Sequence, residues 1–83
     1  MFSILFDRKA KKFVGRLDQI TKNRVKKAIL SLADNPFPHD SVRVVGHEKT
    51  FRIRVGELRI LYYIDFDDKT LIIINVDKRS RVY

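Results

Sequence analysis

The sequence predicts an α+β fold, in which an N-terminal helical hairpin packs on one face of an antiparallel, twisted β-sheet. Three observations predict it. Apolar residues alternate with polar ones over several short stretches, they recur every three or four positions over residues 10–32, and turn-forming residues separate the stretches of the C-terminal half. The predicted element order is β-α-α-β-β-β-β in one domain over residues 1–83, because a chain of 83 residues is too short to bury two cores.

The N-terminal half reads as one strand and two helices. Residues 2–6 begin with period-two alternation, which predicts the strand, and Asp7 can cap the helix that follows. That helix carries its apolar residues on one face: Ala10, Phe13, Val14 and Leu17. Thr21 is a candidate cap for a second helix, in which the same spacing recurs at Val25, Ala28, Ile29 and Leu32. Asn35-Pro36 predicts its end, since proline disfavours helix in the residue before it.

The C-terminal half reads as a loop followed by four strands, at residues 42–45, 51–55, 58–65 and 70–77. The two-residue loop Gly56-Glu57 begins with glycine, which favours a type II′ turn and fixes the register of the hairpin. In that register Arg54 lies directly across from Arg59. We expect Asp67-Asp68 to turn the second hairpin.

This register divides the side chains between two faces of the sheet. The predicted core face carries Phe51, Ile53, Val55, Leu58, Ile60, Tyr62 and Ile64. The opposite face is basic at one end, with Arg52, Arg54 and Arg59. Its other end is apolar, with Leu61, Tyr63, Ile72, Ile74 and Val76. Exposed apolar area of this kind often marks a contact with a protein partner, and packing of a helix or of the tail on this end is the equal alternative.

The opposed arginines predict an anion site. Like charges directly opposite one another destabilise a strand pair by something on the order of tenths of a kcal/mol. Guanidinium groups match phosphate oxygens bidentately and keep their charge at any useful pH, so the arginine cluster favours binding of a phosphodiester. The alternative is that these are solvated outer-face residues, with Glu57 or Asp77 close enough to relieve the repulsion.

Composition points to a polyanionic partner and away from metal chemistry. Eighteen Lys and Arg against ten Asp and Glu give a formal net charge of +8 at pH 7, which favours RNA or DNA, with excess lysine for solubility as the alternative. Because the chain has no cysteine and only two isolated histidines, we expect no disulfide, no metal and no cofactor. Without an apolar run near the roughly 20 residues of a membrane span, and without a signal-peptide pattern, we expect a cytoplasmic protein with no membrane partner.

An ordered set of short motifs resembles the RelE toxins of the RelE/ParE superfamily. Those chains show an aromatic/arginine strand, a glycine turn, an Arg-hydrophobic-hydrophobic-Tyr strand and a final Arg-x-x-x-Tyr. Here the counterparts are Phe51-Arg52-Ile53-Arg54, Gly56, Arg59-Ile60-Leu61-Tyr62 and Arg79-Ser80-Arg81-Val82-Tyr83. The N-terminal strand, the two helices and Asn35-Pro36 fit as well, so the resemblance spans nearly the whole chain. Each motif alone is unspecific, and their order carries the resemblance.

The resemblance implies the toxin of a type II toxin–antitoxin pair, acting as a ribosome-dependent mRNA endonuclease (an mRNA interferase) that inhibits translation. Such toxins enter the ribosomal A site, where the ribose 2′-hydroxyl attacks the adjacent phosphate and leaves a 2′,3′-cyclic phosphate. The implied partners are a cognate RelB-like antitoxin and the ribosome, with its rRNA and mRNA. Operator DNA is bound only through the toxin–antitoxin complex.

By position, the resemblance assigns catalytic roles to Arg52, Arg54, Arg59, Arg79 and Tyr83. Well-studied relatives carry lysines at the places of the first two, where a lysine of depressed pKa can act as a base. Arginine cannot lose its proton under these conditions, so this pair would only stabilise charge on the pentavalent phosphate. Proton transfer would then fall to Tyr83, to a ribosomal group or to solvent.

Two further surfaces are predicted to bind partners. The surface for ribosomal RNA phosphates consists of Lys9, Lys12, Arg16, Lys26, Lys27 and Arg81, with Lys22 and Arg24 on the same basic helices. A solvated helix face is the alternative for each of these residues. The surface for the antitoxin consists of Leu61, Tyr63, Ile72 and Ile74.

Two other functions stay open on the sequence. A ParE-like toxin shares the fold and the arginine after the turn but inhibits DNA gyrase, so Arg59 does not separate the two, whereas Arg54, Arg79 and Tyr83 together favour RelE. The other is a non-enzymatic RNA-binding module, because the chain lacks a conventional His or Glu acid–base pair.

Overall fold

The computed structural model describes residues 1–78, which form two helices and five strands. In chain order these are β1 (Ser3–Phe6), α1 (Arg8–Gly15), α2 (Gln19–Asp34), β2 (Val42–Arg43), β3 (Thr50–Val55), β4 (Leu58–Asp65) and β5 (Thr70–Lys78). The helical hairpin packs on one face of the sheet, so the predicted α+β class and element order are confirmed. Neither helix in this part of the chain is both long and apolar enough to cross a membrane.

The sheet has the strand order β1-β5-β4-β3-β2 and is mixed. The β2–β3, β3–β4 and β4–β5 pairs are antiparallel, as predicted. β1, however, pairs parallel to β5, with Ser3 opposite Thr70 and Phe6 opposite Ile73. Alternation of apolar residues indicates which face of a strand is buried and carries no information on strand direction, so the sequence did not reveal this pair.

Both helices have an aspartate as their N-cap. The Asp7 carboxylate accepts a hydrogen bond from the Lys9 backbone N–H at 3.2 Å, as the sequence predicts. The predicted cap of the second helix was wrong by three residues: Asp18 caps α2, and its carboxylate accepts from the Thr21 N–H at 3.0 Å. An N-cap side chain bonds to the N–H two or three residues further on, so Thr21 is the residue that is capped. Hydrogen bonds from Thr21 hold the pKa of the Asp18 carboxyl below its ordinary value.

Replacing Asp18 with alanine should lower the melting temperature at pH 7, because the first turn of α2 loses its capping acceptor. The depressed pKa means that the ionised carboxylate stabilises the folded state above its ordinary pKa of 3.8, and that this contribution is lost as the pH falls through the depressed value. Thermal melts of the alanine variant and the wild type should therefore differ at pH 7 and converge in strong acid. An Asp18→Asn control, which retains a capping oxygen, should melt close to the wild type.

The core lies between the helices and one face of the sheet. Its buried members include Ala10, Val14, Val25, Ile29, Leu32, Ile53, Leu58, Ile60, Tyr62, Ile64, Leu71, Ile73 and Val76. The predicted core face of the β3–β4 hairpin is thereby confirmed, with Phe51 and Val55 partly buried at its ends. Tyr62 is fully buried, and its hydroxyl donates to the Pro36 carbonyl at 2.7 Å. Burial raises the pKa of Tyr62, so the hydroxyl keeps its proton and remains a donor at neutral pH.

Replacing Tyr62 with phenylalanine is expected to lower the free energy of unfolding by about 1–3 kcal/mol, because the buried Pro36 carbonyl loses its donor. Urea denaturation measures this difference. Tyr63→Phe is the matched control, since the Tyr63 side chain is only half-buried on the other face of the sheet, and it should change stability by less than about 0.5 kcal/mol. Equal effects at the two positions would contradict the assignment of the buried hydrogen bond.

A β-bulge in β5 changes which side chains face the core. Leu61 pairs with Asn75 and Tyr62 pairs with Ile73, so Ile74 is an extra residue without an opposite partner on β4. Beyond the bulge the alternation is reversed, and Val76 is buried at 2% exposure. The prediction that Val76 lies on the outer face was therefore wrong, because a bulge shifts the period-two pattern by one residue.

Candidate anion-binding site

The β3–β4 hairpin has the predicted register. Arg54 pairs with Arg59, and Arg52 pairs with Leu61. Gly56 has a φ of 60°, and Glu57 is not among the residues with positive φ, as a type II′ turn requires. Because the pair that flanks a two-residue loop is hydrogen-bonded, Arg54 and Arg59 form the next, non-hydrogen-bonded pair, whose Cα atoms are only about 4.5 Å apart. The turn thus places two arginines side by side on the face away from the helices.

The β-bulge brings an acidic residue beside these arginines. Arg59 Nε donates to Asp77 Oδ1 at 3.1 Å, and Arg59 Nη2 donates to Asp77 Oδ2 at 3.3 Å. Asn75 Nδ2 lies 3.4 Å from the same Oδ2. The Arg59 and Asp77 side chains are 33% and 42% exposed. Of the two acids that the sequence offers for relief of the arginine repulsion, Asp77 is thus the one that pairs.

A groove of about 320 Å³ lies on the β2 side of β3. Its lining residues are Asp40, Val42, Arg52, Ile53 and Arg54. β2 pairs only with Phe51 and Arg52, so beyond Arg52 the edge of β3 has no neighbouring strand among residues 1–78. Within the same residues, the one side-chain ion pair to an arginine is that of Arg59 with Asp77. Arg52 and Arg54 therefore border the groove without a direct ion pair among the described residues, and Asp40 is the one acid in its lining.

A fourth arginine approaches the hairpin from the helical side. A β-carbon built on Gly56 would lie 3.6 Å from both terminal nitrogens of Arg24, which extends from α2. The sequence assigns Arg24 to the basic helices and gives no sign that it lies over the turn. The contact depends on how α2 crosses the sheet, which no local pattern encodes.

The remaining predicted site residues are spread over the molecule. Arg79, Arg81 and Tyr83 lie outside the described residues. The helical cations Lys9, Lys12, Arg16, Lys26 and Lys27 are all exposed. They lie on the two helices, or at the C-cap of α1 in the case of Arg16, and these helices pack on the face of the sheet opposite to Arg54 and Arg59. Within residues 1–78, no group of three or more His, Cys, Asp or Glu side chains is arranged to hold a metal ion.

The apolar end of the outer face is present as predicted, apart from Val76. Leu61, Tyr63, Ile72 and Ile74 are all half-buried, and the helices lie on the other side of the sheet. Leu5, opposite Ile72 in the parallel β1–β5 pair, is 58% exposed and extends this surface. The outer face thus joins a basic region around the hairpin turn to an apolar region at the β1 edge.

Comparisons with known proteins agree on one superfamily. The family model for the ParE toxin of type II toxin–antitoxin systems (parDE) matches residues 4–83. The chain is 27% identical over 85 residues to toxin RelE1 of Methanocaldococcus jannaschii, covering 99% of this chain and 94% of that protein. It is similar to RelE in the archaeal RelE–RelB complex of Pyrococcus horikoshii, with a TM-score of 0.82, 20% identity and 98% of both chains covered. The isolated E. coli RelE toxin matches with a TM-score of 0.87 and 19% identity, covering 99% of this chain and 88% of that one.

The structural matches, at 19–20% identity, establish a common fold. The family match extends over nearly the whole sequence, including both helices, strands β2 to β5 and all of β1 except Ser3. The chain therefore belongs to the ParE toxin family of type II toxin–antitoxin systems, within the RelE/ParE superfamily.

Proposed function

We propose that this toxin is a ribosome-dependent mRNA endonuclease that cleaves codons in the ribosomal A site and so inhibits translation. The observation that supports it is the cluster of Arg52, Arg54 and Arg59 on the outer sheet face, in which Arg52 and Arg54 also line an open groove. The fold is the one adopted by RelE toxins. Guanidinium groups in this arrangement suit a phosphodiester that carries additional charge in its transition state.

The proposed reaction is an internal transesterification of the mRNA. The ribose 2′-oxygen forms a bond to the adjacent phosphorus as the bond from phosphorus to the 5′-oxygen breaks, which leaves a 2′,3′-cyclic phosphate and a 5′-hydroxyl. The proton of the 2′-hydroxyl is removed, and the departing 5′-oxygen gains one. Arg54 and Arg59 stabilise the additional negative charge of the pentavalent phosphate.

Neither of these proton transfers can be assigned to the hairpin arginines. Arginine does not lose its proton at any working pH, so Arg52 and Arg54 cannot act as the base. The proposal assigns proton transfer to Tyr83, to a ribosomal group or to solvent, and gives Arg79 a share in charge stabilisation. Cleavage is therefore expected to require the ribosome. The ribosome would hold the 2′-hydroxyl and the adjacent phosphate in the reactive orientation, which the toxin alone does not impose.

The basic helices supply the proposed contact with the ribosome. Their exposed cations would bind phosphates of ribosomal RNA, which gives affinity without reading sequence. The residues are Lys9, Lys12, Arg16, Lys26 and Lys27, together with Arg81. A +8 protein should associate with the ribosome more slowly and more weakly as salt is raised.

The proposed inhibitor is a RelB-like antitoxin. Two of the similar folds were solved as RelE–RelB complexes, one from Pyrococcus horikoshii and one from E. coli. The apolar region of the outer face, Leu61, Tyr63, Ile72 and Ile74, offers half-buried apolar area next to the arginine cluster. An antitoxin bound there would also cover the anion site, and operator DNA would be bound only by the complex. The proposed location of the toxin itself is the cytoplasm.

A second candidate is inhibition of DNA gyrase. It is favoured by the family match itself, which is to ParE toxins. In that case the arginines would contact a protein or DNA surface of gyrase and no phosphodiester would be cut.

One experiment separates these functions. The purified toxin is added to a ribosome–mRNA complex with an open A site, the mRNA 5′ ends are mapped, and gyrase supercoiling is measured in a parallel reaction. Cuts within the A-site codon, absent from naked mRNA, are expected. Inhibited supercoiling without cleavage would assign the chain to gyrase, and no effect in either reaction would leave a non-catalytic RNA-binding module.

A further inference from the structure

We infer that Asp77 is a positioning residue for Arg59, and that it holds the guanidinium in the orientation in which Arg59 contacts the scissile phosphate. The inference rests on the proposed function. Its basis is a chain of three side chains on adjacent strands: Asn75 contacts Asp77, and Asp77 binds Arg59 through two hydrogen bonds.

The two hydrogen bonds fix both the position and the plane of the guanidinium. They run from Nε and Nη2 to the two carboxylate oxygens, at 3.1 and 3.3 Å, so that one edge of the planar group lies against the carboxylate. A single contact would leave the group free to rotate, whereas this fork defines its plane. A guanidinium held on one edge can still present another edge to a phosphate, because its donors point in fixed directions.

The β-bulge is what makes this arrangement possible. Extending the Tyr62–Ile73 pairing without a bulge would place Val76 opposite Arg59 and Asp77 opposite Leu58, on the core side of the sheet. The extra residue, Ile74, shifts the register by one, so that Asp77 lies opposite Arg59 on the outer face. Asn75 is on the same face, two residues earlier, where its amide approaches the Asp77 carboxylate.

Two simpler roles for Asp77 would be to stabilise the fold and to increase the affinity for RNA, and neither fits its exposure and charge. An ion pair whose side chains are 33% and 42% exposed contributes little to fold stability. A carboxylate beside an anion site also weakens attraction for RNA, so Asp77 does not serve affinity. What it provides is a fixed orientation of Arg59, and orientation acts on the rate of the chemical step.

Cleavage kinetics on ribosomes with an open A site distinguish these effects. For Asp77→Asn, we expect the maximal single-turnover rate to fall about 10- to 100-fold, while the toxin concentration at half-maximal rate stays the same or falls. The control is Asp67→Asn, which removes the same charge from an exposed turn and should keep the wild-type rate. In an Arg59→Ala background, Asp77→Asn should have no further effect on the rate, because Asp77 acts through Arg59.

A nitrogen-15 NMR spectrum supplies a readout that does not depend on activity. The Arg59 Nε–H should give a resolved, slowly exchanging signal in the wild type that is lost in Asp77→Leu, while the backbone signals of the fold remain. A wild-type rate in Asp77→Asn would overturn the inference, and so would a faster rate, which would make Asp77 a competitor of the phosphate. A wild-type protein that does not cleave would overturn the proposed function and this inference with it. An active wild type with equally active Asp77 variants would overturn the inference alone.

Discussion

Arg59→Ala is expected to lower the rate of mRNA cleavage in the A site by about 100- to 1,000-fold. Arg59 is the member of the arginine cluster on β4, opposite Arg54 and paired with Asp77. In other enzymes, removal of one hydrogen-bond donor that stabilises charge in the transition state lowers the rate by a factor of this size. The loss should appear in the single-turnover rate at saturating toxin, measured by primer extension on programmed ribosomes.

The matched control for this variant is Arg43→Ala. Arg43 is an exposed arginine on β2, opposite Phe51, so its removal lowers the net charge equally without touching the arginine cluster. It should retain cleavage within a few-fold of the wild type at moderate salt. Equal losses in the two variants would mean that Arg59 contributes only general attraction to RNA, which would contradict its role in the chemical step.

Ile60→Ala is expected to have the largest effect on stability, a loss of about 2–5 kcal/mol in the free energy of unfolding. Ile60 is fully buried on the central strand of the sheet, and its truncation leaves a cavity beneath the helices. Small domains have a total stability of roughly 5–15 kcal/mol, so a substantial unfolded fraction is expected at elevated temperature. Chemical denaturation followed by circular dichroism measures the difference.

Ile72→Ala makes the same chemical change on the opposite face and is the matched comparison. Ile72 is half-buried on the outer face, so the variant should lose clearly less stability than Ile60→Ala. If the apolar region binds the antitoxin, Ile72→Ala should instead raise the dissociation constant of the toxin–antitoxin complex. Similar stabilities for the two variants, or unchanged antitoxin affinity for Ile72→Ala, would contradict the division of the sheet into a core face and a partner face.

The arginine cluster could be predicted from sequence because the local signals agree. A two-residue loop that begins with glycine fixes the register of a hairpin, and the register fixes which residues lie opposite one another. From Gly56 alone it follows that Arg54 faces Arg59, and the alternation of apolar residues then puts both on the outer face. The core residues of α1 and α2 could also be predicted, because the spacing of apolar residues along a helix is likewise a local signal.

The remaining features depend on contacts between distant parts of the chain. The parallel pairing of β1 with β5 is set by where the chain returns after the helices. The bulge at Ile74 lies within three consecutive isoleucines, which give no alternation from which a change of phase could be detected. The burial of Val76 and the pairing of Asp77 with Arg59 both result from the bulge, so they could not be predicted either. Arg24 over the hairpin turn depends likewise on the packing of α2.

The measurement that most directly tests the central claim uses mRNAs with a single 2′-deoxynucleotide at each position of the A-site codon. If the toxin promotes attack by the ribose 2′-hydroxyl, the deoxy substitution immediately 5′ of the mapped cut should abolish cleavage there. Substitutions at the other codon positions should leave it in place, and the wild-type product should end in a 2′,3′-cyclic phosphate. Undiminished cleavage of the deoxy substrate at the same bond would contradict the mechanism, because the nucleophile would then come from elsewhere.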